Sequence, residues 1–265
     1  MSLPTPPTLL PPALLDAAAE LAQRRRDGRR GERLAEEQRP QNCRQAWALQ
    51  QRVSGLLNWP IGGWKCALPN AEQIVVAPIY RHSIHQHGEP CPVWPIDTKA
   101  RIEPELAFVF AAALPCRPQP YNPAEIDAAI GSVHLALELI GSRYQCPEQA
   151  SFAEHLADGL FNQGLLLGPA IPMEAADAAH LQIEISDAAT PRVWSGVHPA
   201  GQPRAPLYWL LEFLRAAGIG LQRGQCVITG SYAGSPDVAL DTPLTIRFGE
   251  LGSLAVRFTD ASGFE

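Results

Sequence analysis

The chain has 265 residues, a formal net charge of −6 and 46% hydrophobic content, which is enough apolar material for one sizeable core and excludes wholesale disorder. The acidic balance leaves no electrostatic footprint for nucleic acid, whose binders present a clustered basic face, and no stretch approaches the roughly 18 consecutive apolar residues of a membrane span. Six cysteines (Cys43, Cys66, Cys91, Cys116, Cys146 and Cys226) stand without a C-x-x-C pair, so neither a zinc ribbon nor a thioredoxin-type motif is present, and reduced thiols in a soluble cytoplasmic protein are the expectation.

The first dozen residues are proline-rich. "MSLPTPPTLLPPALLDAAAE" lacks a basic start and interrupts its apolar run with prolines and Asp16, which argues against a signal peptide. Residues 12–26, "PALLDAAAELAQRRR", place apolar residues at helical spacing behind a proline start. The basic run "RRRDGRR" at 24–30 reads as a solvated helix end rather than a polyanion site. A second helix is predicted over 42–57, "NCRQAWALQQRVSGLL". Residues 1–58 are therefore taken as an N-terminal helical part and 59–265 as a β-rich α/β part. Short apolar runs such as "EQIVVAPIY", "ELAFVFAAAL", "LALELIG", "QGLLLG", "LQIEIS", "CVITGS", "LTIRFG" and "LAVRF" predict strands in it. Helices are predicted at 123–134 and 205–218, the latter ended by Gly218.

Several residues stand out chemically. "PIGGWKCALP" sets Lys65 among apolar neighbours. It is either a snorkelling surface lysine or a poorly solvated ammonium whose pKa is lowered toward proton transfer. "YRHSIHQHGEP" holds His82, His85 and His87, read as a zinc site, a solvated loop, or a loop over an active site with a histidine, His85, as acid or base. In "RIEPELAFVF", Glu103 and Glu105 point to one face of a strand. They are either exposed glutamates at a strand start, where Pro104 fits, or part of a site. Glu138 in "HLALELIG" is a carboxylate inside an apolar run, which needs a partner such as Arg143 or a metal. A divalent cation would turn the mutual repulsion of three carboxylates into attraction, and hard oxygen ligands suit Mg²⁺ or Mn²⁺. "GSYAGS" at 230–235 is no nucleophile elbow. Gly230 and Ser231 read as a turn able to approach a substrate carboxylate, or as a plain strand-to-loop turn.

Taken together and in order, "QAWALQQ", "GGWKCAL", "RIEPELAFVF", "ALELIGSRY", "HLADGLFNQGLLLG" and "ITGSYAG" resemble the segments of the 2-keto-4-pentenoate hydratases, in the hydratase/decarboxylase branch of the fumarylacetoacetate hydrolase superfamily. The resemblance spans nearly the whole chain from about residue 40. It implies a mixed β roll around the active site, with an N-terminal helical part and a catalytic domain over 59–265. It also implies Mg²⁺ (or Mn²⁺) held by Glu103, Glu105 and Glu138, Lys65 as the active-site lysine, and a homo-oligomer. Departures fall at pocket positions: Gly141 replaces the usual aspartate, Gly159 stands where an asparagine is usual, and the segment after Lys65 is short. Asp158 is retained as a candidate for contact with substrate. The candidate sets are thus Lys65, Asp158 and His85 as catalytic, and Gly230, Ser231 and Arg143 as substrate-binding.

The activity implied is addition of water to a 2-hydroxy-2,4-dienoate, giving a 4-hydroxy-2-oxo acid, in aromatic-compound catabolism. The same enolate chemistry would serve decarboxylation of a 2-oxo diacid of the 4-oxalocrotonate type or cleavage of an acylpyruvate. A different class of reading is a non-catalytic protein that binds a small oxo acid or serves as an assembly subunit. Against it, a decaying site has no reason to keep buried-type charges that are costly without their cation. The partner expected is a small-molecule 2-oxo acid, with neither nucleic acid nor membrane.

Overall fold

In the computed structural model the described residues are 10–187 and 191–261; most of the proline-rich stretch, residues 1–9, lies outside them. The chain runs through α1 (Pro12–Arg26), α2 (Cys43–Leu57), β1 (Ile61–Ala67), β2 (Val75–Tyr80), β3 (Ile84–Gln86), β4 (Pro90–Val93), β5 (Lys99–Phe110), α3 (Pro123–Ala129), β6 (Ile130–Ile140), α4 (Phe152–Ala157), β7 (Asn162–Ile171), β8 (His180–Ser186), β9 (Arg192–Val197), α5 (Arg204–Ala216), β10 (Cys226–Ile228), β11 (Asp237–Ala239), β12 (Pro243–Phe248) and β13 (Ser253–Asp260). Among the described residues no helix is long and apolar enough to cross a membrane.

The helices follow their apolar spacing. In α1, Leu14, Ala17, Ala18, Leu21 and Ala22 are buried, an i, i+3, i+4, i+7, i+8 stripe that lays one face on the core. Asn42 caps α2 by accepting from the Gln45 N–H, and Asn58 closes it in the left-handed conformation. Gln50 of α2 donates to the carbonyls of Val76 in β2 and Leu156 in α4, so the helical part is tied to the sheet by buried hydrogen bonds.

The strands form two sheets. The larger runs β2-β1-β10-β5-β6-β7-β3, with β11 also paired to β5; the smaller runs β4-β13-β12-β8-β9. The larger sheet curls, because β2 passes through a short 3₁₀ turn, Arg81–Ser83, into β3 on the far edge. Its inner face gathers a compact apolar cluster from both edges and the middle: Ile79, Ala107, Ala136, Leu165, Cys226 and Ile228, with Ile84 against them. The outer face joins the helices and the second sheet in one large core. This is the β-rich α/β roll expected.

Two local expectations change. The helix predicted over 123–134 ends at Ala129, and residues 130–134 open β6 instead. The capping box at Asn122 and Glu125 starts the helix, but antiparallel pairing of β6 with β5 begins at Ile130 opposite Phe110, and that pairing outweighs helix propensity. The basic run is a solvated helix end only in part: Arg26 and Arg29 are exposed, but its first two arginines are not. Arg24 is buried and donates to Glu20 and to the carbonyls of Glu32 and Arg143, while Arg25 reaches into the fold as described below.

Candidate metal centre

Strand register places the charged residues. Glu103 lies directly opposite Glu138 across β5 and β6, and Glu105 follows two residues on, on the same face. Lys65 pairs with Ile228, which pairs with Ala107, the next residue of β5 on that face. All four side chains therefore project from the inner face of the roll. Acceptor oxygens of Glu103, Glu105 and Glu138 lie within 4.8 Å of one another. Glu138 is 0% and Glu105 2% exposed, whereas Glu103 is half-buried toward the opening.

The electrostatics follow from this crowding. Burial first, then the charges of Glu138 and Glu103, push the Glu105 carboxyl well above the ordinary glutamate value. Burial also raises Glu138, against the pull of Lys65. Lys65 Nζ meets Glu138 Oε1 at 2.7 Å and donates to the Leu160 carbonyl at 3.1 Å. Burial pulls its ammonium down, but Glu138, Glu103 and Glu105 together outweigh that and hold its pKa above the ordinary lysine value. The expectation of a lowered lysine pKa is corrected accordingly: surrounding charge overrides desolvation.

Each carboxylate is braced by neutral donors. The Gly230 N–H donates to Glu105 Oε2 at 2.7 Å, the Ser235 hydroxyl donates to Glu103, and the Asn162 carboxamide donates to Glu138 Oε1 at 2.9 Å. Glu138 Oε2 is buried and has no hydrogen-bond partner. A converging set of hard oxygens with one atom left unsatisfied fits a divalent cation.

No family model matches the chain, and no curated protein matches it. Among solved structures, 4-oxalocrotonate decarboxylase from Pseudomonas putida G7, complexed with magnesium and adipate, is similar at a TM-score of 0.75 and 20% identity, over 95% of this chain and 99% of that one. A 2-hydroxyhepta-2,4-diene-1,7-dioate isomerase from Mycobacterium marinum gives 0.52 and 17%, over 77% of each chain. A fumarylacetoacetate hydrolase family protein from yeast gives 0.53 and 16%, over 76% of this chain and 94% of that one. The fold is the fumarylacetoacetate hydrolase fold.

Within this fumarylacetoacetate hydrolase fold the other predicted residues take different places. Arg143 and Asp158 meet each other: Arg143 Nε donates to Asp158 at 2.8 and 2.9 Å, and its Nη1 and Nη2 donate to the carbonyls of Asn162 and Asp158. Both are buried, and their polar atoms are used on the 158–162 turn, not on the carboxylate trio. His85 pairs with Leu166, which pairs with Leu137, one residue out of phase with Glu138. It therefore points from the outer face, away from the glutamates, and its assignment as their acid or base is corrected. Gly230 stands at the site, but its N–H serves Glu105, and the Ser231 hydroxyl donates to Gly234 within its own loop.

Sequence reasoning missed Asn162, Ser235 and the Leu160 carbonyl. Asn162 lies three residues beyond Gly159, the position at which the resemblance implies an asparagine. His198 was also missed. It is 2% exposed, and a Cβ at Gly230 would stand 3.4 Å from its Nε2. Gly230 itself has φ 138, a left-handed backbone that favours glycine.

Proposed function

We propose that this protein is a divalent-cation-dependent lyase acting on the enol of a 2-oxo acid, adding water to a 2-hydroxy-2,4-dienoate to give a 4-hydroxy-2-oxo acid. The observation that carries this reading is the meeting of Glu103, Glu105 and Glu138, within 4.8 Å of one another, with a lysine at 2.7 Å from Glu138. The three glutamates would hold Mg²⁺ or Mn²⁺. When bound, the cation supplies Lewis-acid polarisation of the substrate carboxylate and 2-oxygen.

The chain's own residues do the rest. Gly230, Ser235 and Asn162 fix the carboxylates so that their oxygens converge without reorganisation. Lys65 is the proton carrier of ketonisation, its Nζ aimed by the Leu160 carbonyl and by Glu138. The apolar inner face of Ile79, Ala107, Leu165 and Ile228 lines the roll beside them, lowering the local dielectric and excluding bulk water from the enolate.

A second reading is decarboxylation of a 2-oxo diacid. It is favoured by the likeness to 4-oxalocrotonate decarboxylase along nearly the whole of both chains, where the isomerase and the yeast protein match about three-quarters of this one. One experiment separates the two. Freshly generated 2-hydroxypenta-2,4-dienoate and an oxalocrotonate-type diacid are followed by ultraviolet absorbance with Mg²⁺ and with EDTA, and products are identified by mass. Mg²⁺-dependent gain of one water supports the hydratase; loss of carbon dioxide from the diacid alone supports the decarboxylase. Full turnover by Glu105→Gln would sink both.

A further inference from the structure

Behind the carboxylates, on the outer side of the roll, lies a cleft of ≈ 210 Å³ between the end of α1, the turn into β3 and the end of β6. Arg25, Arg30, His82, His85, Trp59 and Trp94 line it, and among the described lining residues there is no Asp or Glu. None of Lys65, Glu103, Glu105 and Glu138 reaches it.

Its charge is out of balance. Two buried guanidiniums share one buried carboxylate: Arg143 holds Asp158 at 2.8 Å, and Arg25 comes no closer than 3.9 Å. Arg25 donates instead to the neutral carbonyls of Asp158 and Asn162, at 2.6 and 3.1 Å. With its side chain 10% exposed, Arg25 is a largely buried cation that shares its one carboxylate with Arg143 and otherwise lies only over the Tyr80 ring, a costly state that an added anion would relieve. Burial and the neighbouring Arg143 pull its pKa down to about 10. Arg30 donates to the Pro95 carbonyl, and among the described residues neither the His82 nor the His85 imidazole makes a side-chain hydrogen bond, the backbone of His85 being paired in the β3–β7 ladder. Burial, together with Arg25 for His82 and with His82 for His85, holds both imidazoles below the usual histidine value.

The walls are flat and apolar. Trp59 meets His82 edge-on with ring centroids 4.4 Å apart. Trp94 lies across Gly28, where a Cβ would fall 2.0 Å from the indole and where φ is +59, so glycine at this turn is what admits the ring.

We propose that this cleft is a second binding site, separate from the carboxylate trio, for a small organic carboxylate with a flat apolar body: Arg25 and Arg30 supply counter-charge, His82 and His85 hydrogen bonds, and Trp59 and Trp94 the walls. The site backs directly onto the turn that presents the Leu160 carbonyl to Lys65, because Arg25 belongs to both.

The test uses the full chain in EDTA at low salt, titrated by calorimetry with benzoate, acetate and inorganic phosphate. Benzoate saturates in the millimolar range or tighter and binds about tenfold better than acetate, because its ring adds buried apolar area to the charge-assisted hydrogen bonds. Glu105→Gln leaves this binding unchanged, while Arg30→Glu combined with His85→Ala weakens it at least about tenfold, the loss of two polar anchors. In the wild-type chain benzoate also slows diethylpyrocarbonate modification of His82 and His85, read by peptide mass, but not of the exposed His180. No saturation by any of the three anions up to about 10 mM would overturn the assignment. So would binding lost in Glu105→Gln but kept in the double variant, or phosphate binding without benzoate binding.

Discussion

Glu138 is held by Lys65 on one side and by the Asn162 carboxamide on the other, with its second oxygen unsatisfied. On the proposed reading of Glu138 as a metal ligand, a neutral amide that orients the carboxylate matters to affinity through geometry, and its removal costs about 10–100-fold. Asn162→Ala should therefore weaken Mn²⁺ binding by about that factor, read by calorimetry, with the fold intact by circular dichroism. His198 carries a pH prediction. Its Nδ1 accepts from the Ala200 N–H at 3.2 Å, so its Nε2 faces the Thr229 hydroxyl as the donor. Protonation would turn that acceptor into a donor, and burial holds its pKa down to about 4, from 6.5. The unfolded chain then binds more protons between those values. The histidine's stabilising contribution is complete above pH 6.5 and is lost as pH falls toward 4. Melting temperature measured across that window should fall less steeply for His198→Gln than for the wild type.

The 158–162 turn is the element on which the centre depends. Leu160 and Phe161 both take left-handed backbone, with φ 52 and 65, a strained choice for such side chains. Arg143 and Arg25 donate to the carbonyls at both ends of the turn, and Asp158 anchors Arg143. Asp158→Ala leaves the buried Arg143 guanidinium without its carboxylate and should cost about 3–5 kcal/mol, measured by urea unfolding. Activity at a temperature where the variant remains folded should fall too, because Leu160 no longer aims Lys65. Little of this element was legible beforehand. The capping box formed by Ser151 and Glu154 marks the start of α4, but the run "HLADGLFNQG" offers no apolar period, and its shape is imposed by arginines from residues 25 and 143. Strand β1 carries little signal in the sequence, since Gly62 and Gly63 weaken its β propensity. Its pairing with β2 and β10 makes it a strand.

At the scale of the whole molecule, the N-terminal helices belong to the core that the sheets share. Division of the chain at residues 58 and 59 is thus a proposal about sequence organisation, with a consequence for folding. A chain starting at residue 59 loses Arg25 from the turn and Gln50 from the Val76 and Leu156 carbonyls. It also bares the surface on which Leu14, Leu21 and Leu49 lie. It should aggregate or melt without a cooperative transition in calorimetry, where the full chain gives one. The sequence by itself determined the strand-rich α/β class and the extent of α1 and α2, and it marked out four charged residues that the structure brings together. Lys65, Glu103, Glu105 and Glu138 each stand in or beside apolar runs, where a charge is costly enough to need a reason, and that anomaly is local. Only the tertiary structure decided that His85 faces outward, that Arg143 and Asp158 serve a turn, that Asn162, Ser235 and Gly230 brace the carboxylates, and that Arg25 turns into the fold. Those assignments rest on strand register and on partners more than a hundred residues apart in several cases, and a one-residue change of register reverses the face on which a side chain stands.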